Sequence, residues 1–153
     1  MAIDMKKIED DFQTYLMFIE DNLIDLETVL KEYYGENYEL SYNEDSILKI
    51  ETFLGEQLDN YTITLFPKGK LLENISTYMG EIIKRKFSGH WDFERDEDML
   101  TFGFPVVTGL KGLDKDFGWA PIHNIFAFEE TRKEGLLLKG LRAILYANDP
   151  SKW

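Results

Sequence analysis

Residues 71–91, LLENISTYMGEIIKRKFSGHW, decide the fold of this chain, because a helix, its stop and the start of a strand all fall inside them. Leu71, Leu72, Ile75, Tyr78, Met79, Ile82 and Ile83 recur at spacings of three and four, which gathers them on one face of an α-helix that has to be buried. Lys84, Arg85 and Lys86 crowd the last turn, where the negative end of the helix dipole favours cations, and Gly89 stands where a left-handed cap would follow. The helix is therefore expected to end near Phe87. Beyond Gly89 the period changes to two: Trp91 and Phe93 alternate with Asp92 and Glu94, the pattern of a half-buried strand.

Gly80 lies inside the helix, where glycine costs about 1 kcal/mol relative to alanine, so another backbone or a ligand is expected to approach closely there. Asn74, Tyr78, Glu81 and Arg85 follow at spacings of four, three and four and form a polar stripe along one edge of the apolar face. Glu81 and Arg85 are placed to pair at i, i+4.

The segment TYMGEIIKRKFSGHWDF, residues 77–93, resembles the core motif of a widespread group of small uncharacterised bacterial domains. Their pattern is Y-(L/M)-G-E-(V/I)-(I/L), a basic turn, then G-x-W. Tyr78, Gly80, Glu81, Ile82, Gly89 and Trp91 are the matching positions, with a weaker echo at Pro121 and Ile125. Some members of that group look like immunity or accessory proteins encoded beside bacterial toxins. The resemblance carries over no catalytic residue.

A chain of 153 residues, 44% hydrophobic, is long enough for one sizeable core and short for two, so residues 1–153 are expected to form a single domain. Its acidic helical part is 1–66, and 67–150 carries the central helix, a hairpin and a C-terminal helix. The net charge of −12 is confined to the first part: residues 1–66 hold 16 acidic and 4 basic side chains, and the remainder holds 13 of each. Such a field repels nucleic-acid phosphates and anionic membranes and favours a basic protein partner, with solubility alone as the alternative role. Asp10, Asp11, Asp21, Asp25, Glu32 and Glu36 are the candidates for an acidic interaction face. Cysteine is absent, which excludes disulfides and thiol catalysis. No apolar run reaches the roughly 18 residues of a membrane span, and MAIDMKKIEDDF lacks the apolar core of a signal peptide, so a cytoplasmic location is expected.

Residues 4–34 contain no Gly or Pro, and Ile8, Phe12, Tyr15, Ile19, Leu23, Leu26, Leu30 and Tyr33 form one helical stripe. One helix would span about 45 Å at 1.5 Å per residue; two would break near Asp21-Asn22, and Gly35 is the stop in either case. The stripe could pack on its own domain or serve a homodimer as a coiled-coil seam. Ser41 and Glu44 suggest a capping box ahead of a helix carrying Ile47, Ile50, Phe53, Leu54 and Leu58, closed by Asp59-Asn60. Residues 61–66 read as a short extended segment. Leu100, Phe102 and Phe104 alternate with polar or small residues and are expected to pair with Trp91 and Phe93 across an Arg95–Asp98 loop, with Pro105 at an edge or at the end of pairing. Thr108 to Gly118 reads as a loop. Ile122, Ile125 and Phe126 fit a helix, although residues 125–128 equally suit a strand, and Leu137, Leu141, Ile144 and Leu145 define a last helix ended by Asn148-Asp149-Pro150. The class is α+β: N-terminal helices and a central helix on a small antiparallel sheet, followed by a C-terminal helix.

No chemistry-bearing motif stands out. There is no G-x-S-x-G elbow and no H-E-x-x-H, and only His90 and His123 could serve as bases or ligands. Asp114–Gly118 departs from a calcium loop in the position of its glycine and lacks the closing glutamate. Phosphate-binding glycine patterns are missing. Catalytic residues, metal and cofactor are accordingly none. Tyr78, Gly80, Glu81, Arg85, Trp91, Trp119 and His123 are the candidate ligand or partner residues, with a pocket expected between the helix stripe and the group formed by His90, Trp91, Trp119 and His123. Two functions follow: a non-catalytic cytoplasmic interaction module, immunity-like or accessory, that uses its acidic half on a basic protein; or a small-ligand sensor or enzyme with a pocket near Glu81 and Trp91.

Overall fold

The N-terminal stripe folds as two helices, α1 (Met5–Met17) and α2 (Ile19–Tyr34), in the computed structural model, which describes residues 3–153. The break falls at Phe18 (φ −106°, ψ 6°), three residues before the expected Asp21-Asn22. Glu20 and Asp21 instead sit in the first turn of α2, where the positive end of the helix dipole favours acids. Folding back at Phe18 lets both halves bury the same stripe: Phe12 and Tyr15 from α1, with Ile19, Leu23, Leu26 and Leu30 from α2, all enter the core. The face available for a homodimer seam is thus largely covered within the chain.

Four further helices follow, α3 (Ile47–Asp59), α4 (Lys68–Phe87), α5 (Pro121–Thr131) and α6 (Leu136–Leu145). Three strands, β1 (His90–Phe93), β2 (Pro105–Thr108) and β3 (Gly118–Trp119), form an antiparallel sheet in the order β1-β2-β3. The fold is α+β, with α4 at its centre. This helix packs against α2, α5, α6 and β2, and every residue from Asn74 to Ile83 is buried. So thorough a burial is the destination of the apolar face read from the sequence, extended to the polar edge.

Several expectations are corrected. The left-handed position after α4 is Ser88 (φ 53°, ψ 38°), and Gly89 is needed for a different reason. A Cβ at Gly89 would fall 2.6 Å from Leu110 Cδ2 and 2.8 Å from the Thr108 carbonyl oxygen. The second hairpin strand is Pro105–Thr108, paired Trp91 to Val107 and Phe93 to Pro105, not Leu100–Phe104. Those aromatics lie in turns closed by Phe102 N–H to Met99 O and Phe104 N–H to Thr101 O, which leave Leu100 90% exposed. Pro105 opens the central strand, a position where its missing donor is tolerated. Ahead of α3 a 3-10 turn, Glu44–Ser46, is capped by Asn43 in place of Ser41; the Asn43 side-chain oxygen accepts from Asp45 N–H at 3.0 Å and from the Ser41 hydroxyl at 2.9 Å, and α3 itself has no side-chain cap. Residues 61–66 form no strand, and the Tyr61 hydroxyl donates to the Phe66 carbonyl at 2.6 Å. Pro121 starts a helix, as its fixed φ suits, so residues 125–128 are helical.

The start of α6 is completed from a distance. Gly135 (φ 82°) offers no side chain to cap it, and Glu51 of α3 fills that role: its buried carboxylate accepts from Gly135 N–H at 2.7 Å and Leu137 N–H at 3.0 Å.

A candidate cleft at the elbow of the first two helices

Gly80 is glycine because Trp91 lies on it. A Cβ there would fall 2.5 Å from Trp91 Cζ2 and closer still to Cη2, so the indole of β1 rests directly on the backbone of α4. The close approach read from the sequence is therefore made by a side chain. Tyr15 of α1 meets the same indole edge-on, with ring centres 5.5 Å apart. Its hydroxyl shares a 2.7 Å hydrogen bond with Thr77, and burial pushes its phenol well above the ordinary value.

Next to this junction, Glu81 and Trp91 line a cleft of about 520 Å³ together with Leu16, Met17, Ile19, Glu20, Asp21, Lys84 and His90. The elbow at Phe18 opens it, since the end of α1 and the start of α2 diverge there over α4 and β1. Glu81 and Trp91 are 6% and 8% exposed, and each holds a buried polar atom, Oε2 and Nε1, with no hydrogen-bond partner among the described residues. Glu81 Oε2 does lie 3.5 Å from Lys84 Nζ, an ion contact at the limit of hydrogen-bond length. Three carboxylates, Glu20, Asp21 and Glu81, face one ammonium across the cleft walls. Such a lining accepts a cation.

Lys84, not Arg85, is the partner of Glu81. The Arg85 guanidinium instead covers the ring of Tyr42, 3.6 Å from its centre. Tyr78 faces that same side and takes no part in the cleft. Its hydroxyl accepts from Tyr42 N–H at 3.0 Å and meets the Ser46 hydroxyl at 2.5 Å, while Ser46 donates to the Asn43 carbonyl at 3.1 Å. The polar stripe is therefore divided between two sides of α4. Trp119 occupies the same row of the sheet as Trp91, with Val107 between them, which sets them about 10 Å apart, two strand spacings. Trp119 and His123 line a separate hollow with Met99, Leu100 and Thr101. His90 is exposed at the cleft, its ring lying over Gly109.

Met17, Glu20 and Lys84 belong to the cleft and were not singled out by the sequence reading; the readable signal was the Met17-Phe18 pair, two apolar residues off the buried stripe. Among the described residues no group of His, Cys, Asp and Glu is arranged to hold a metal ion, and no helix is long and apolar enough to cross a membrane. No family model, no curated protein and no solved structure matches this chain.

Proposed function

We propose that this chain is a non-catalytic cytoplasmic interaction module, immunity-like or accessory in role, that binds a basic protein through its acidic N-terminal half. The observation that carries this reading is the elbow: Met17 (75% exposed), Phe18 (45%) and Ile24 (63%) reach solvent beside Glu20, Asp21 and Asp25. Apolar side chains exposed together and rimmed by charge are a feature of protein-binding surfaces, where Met and aromatic residues supply the contact. Asp21, Asp25 and Glu32 support it further, since spacings of four and seven keep them within about 40° of one another around α2. Asp10 and Asp11 add exposed charge on α1, Asp11 beside Lys7 at 3.5 Å, and Glu36 follows the end of α2.

The test is capture of a partner from host lysate at low and high salt, followed by association kinetics with the purified partner. For Asp21→Asn/Asp25→Asn/Glu32→Gln the on-rate should fall about tenfold at low salt, with the off-rate little changed, because exposed charges steer encounter and are screened beyond about 10 Å at 0.1 M salt. Absence of a salt-sensitive partner, or an unchanged on-rate, would overturn the proposal. A second reading, a small-ligand sensor or enzyme, draws on the buried Glu81 and Trp91 of the cleft wall; saturable binding of a free small molecule there, with no protein captured, would favour it.

A further inference from the structure

Resting on the basic-partner reading, we infer that the Glu81–Trp91 cleft is the anchor site of that interaction and takes one arginine side chain of the partner. The cleft joins an acidic rim to Glu81, a buried carboxylate whose Oε2 makes no hydrogen bond and meets only the Lys84 ammonium at 3.5 Å, and to Trp91, whose Nε1 is buried without a partner among the described residues. A buried polar atom without a partner is costly, so both atoms gain from a ligand that brings the complementary group. A guanidinium supplies several donors in one plane and can bridge Glu81 and Glu20 or Asp21, whereas an ammonium offers a point charge. Leu16, Met17 and Ile19 give its aliphatic stem an apolar wall. Lys84, on the rim at 3.5 Å from Glu81, holds the carboxylate in the free protein and is solvent-accessible enough to swing away when the guanidinium arrives. The exposed Met17 lines this entrance and the exposed Phe18 follows it in the chain, and both are placed to cover the partner surface around the anchor.

The probe is the capped tripeptide acetyl-Gly-Arg-Gly-amide, titrated into the intact protein while the indole N–H signals are followed by NMR. The Trp91 signal is assigned by its loss in Trp91→Phe. Saturable movement of that signal, absent with acetyl-Gly-Gln-Gly-amide and weakened about tenfold in Glu81→Gln, is the expected result. Should Glu81→Gln lose its folded spectrum, Glu20→Gln, which alters only an exposed rim side chain, has to weaken the peptide instead. No movement at Trp91, or equal affinity in the folded variants, overturns the inference. Butylamine binding as tightly as the tripeptide also overturns it, by assigning the cleft to a free small cation. The acidic-face reading is separable: if a seven-residue lysine peptide binds and is weakened by Asp21→Asn/Asp25→Asn/Glu32→Gln while the arginine probe fails, the anchor falls and the face stands.

Discussion

A phenol with no exposed surface has to place its hydroxyl, and Tyr78 does so in a relay. Ser46 donates to the Asn43 carbonyl, which makes Ser46 the acceptor of the Tyr78 proton and leaves Tyr78 oxygen free to accept from Tyr42 N–H. The relay holds Tyr42 at φ 55°, a left-handed conformation that non-glycine residues rarely adopt. Tyr78→Phe would leave a partly buried N–H without its acceptor and should lower stability by about 1–3 kcal/mol, read as a fall in urea midpoint at constant slope. Glu44 gives a pH signature nearby. Hydrogen bonding to Arg142, closest at 2.9 Å, holds its carboxyl below the ordinary value against the opposing effect of partial burial. A depressed carboxyl contributes stability above its unfolded value, about 4.3, and loses it as pH falls through the lower folded value. Glu44→Gln should therefore be slightly less stable than the parent near neutrality, and the two melting curves should converge as pH drops below about 4.

At the scale of elements, the contact of α4 with β1 turns on one hydrogen atom. Gly80→Ala gains about 1 kcal/mol of helix propensity but drives a methyl group into the Trp91 ring, a cost of about 1–3 kcal/mol. The single substitution should be destabilising, and in a Trp91→Ala background it should become neutral or stabilising; a double-mutant cycle with no coupling would show that the ring moves aside freely. This contact was half legible in the sequence. A glycine inside a strong helix signals an approach, yet nothing local says that the visitor is the tryptophan eleven residues on. Glu81 shows the opposite failure: basic residues stand at both i+3 and i+4, and the choice of Lys84 was made by Tyr42, far away in the chain, which draws Arg85 off. The strand at 105–108 was hidden because PVVT is short and opens on proline, while Leu100, Phe102 and Phe104 imitate a strand by alternating through tight turns. The cleft was legible in Glu81, Trp91 and His90, and Asp21 was named for its charge; the rest of its rim depends on a break at Phe18 that a continuous apolar stripe conceals.

Across the whole molecule, charge and core are separately distributed. The acidic residues of α1 and α2 stay on their outer faces, and the core is knit by α4, whose apolar face the periodicity foretold while the burial of its polar edge at Asn74, Thr77 and Glu81 went beyond it. The class could be read because the change from a period near 3.6 to one of two marks the passage from helix to sheet, whatever the register. Long-range closure could not, since Glu51 looks in sequence like any acidic residue on an amphipathic helix. Its carboxylate nevertheless ties the start of α6 to α3 across 84 and 86 residues. An isolated ten-residue helix is marginal in water, so α6 does not nucleate by itself and its first amides take their lifetime from the docking of α3. In native-state hydrogen exchange the amides of Gly135 and Leu137 should open together with those of α3. Glu51→Ala should speed their exchange about 10–100-fold, leaving the centre of α4 as the slowest-exchanging segment of the chain.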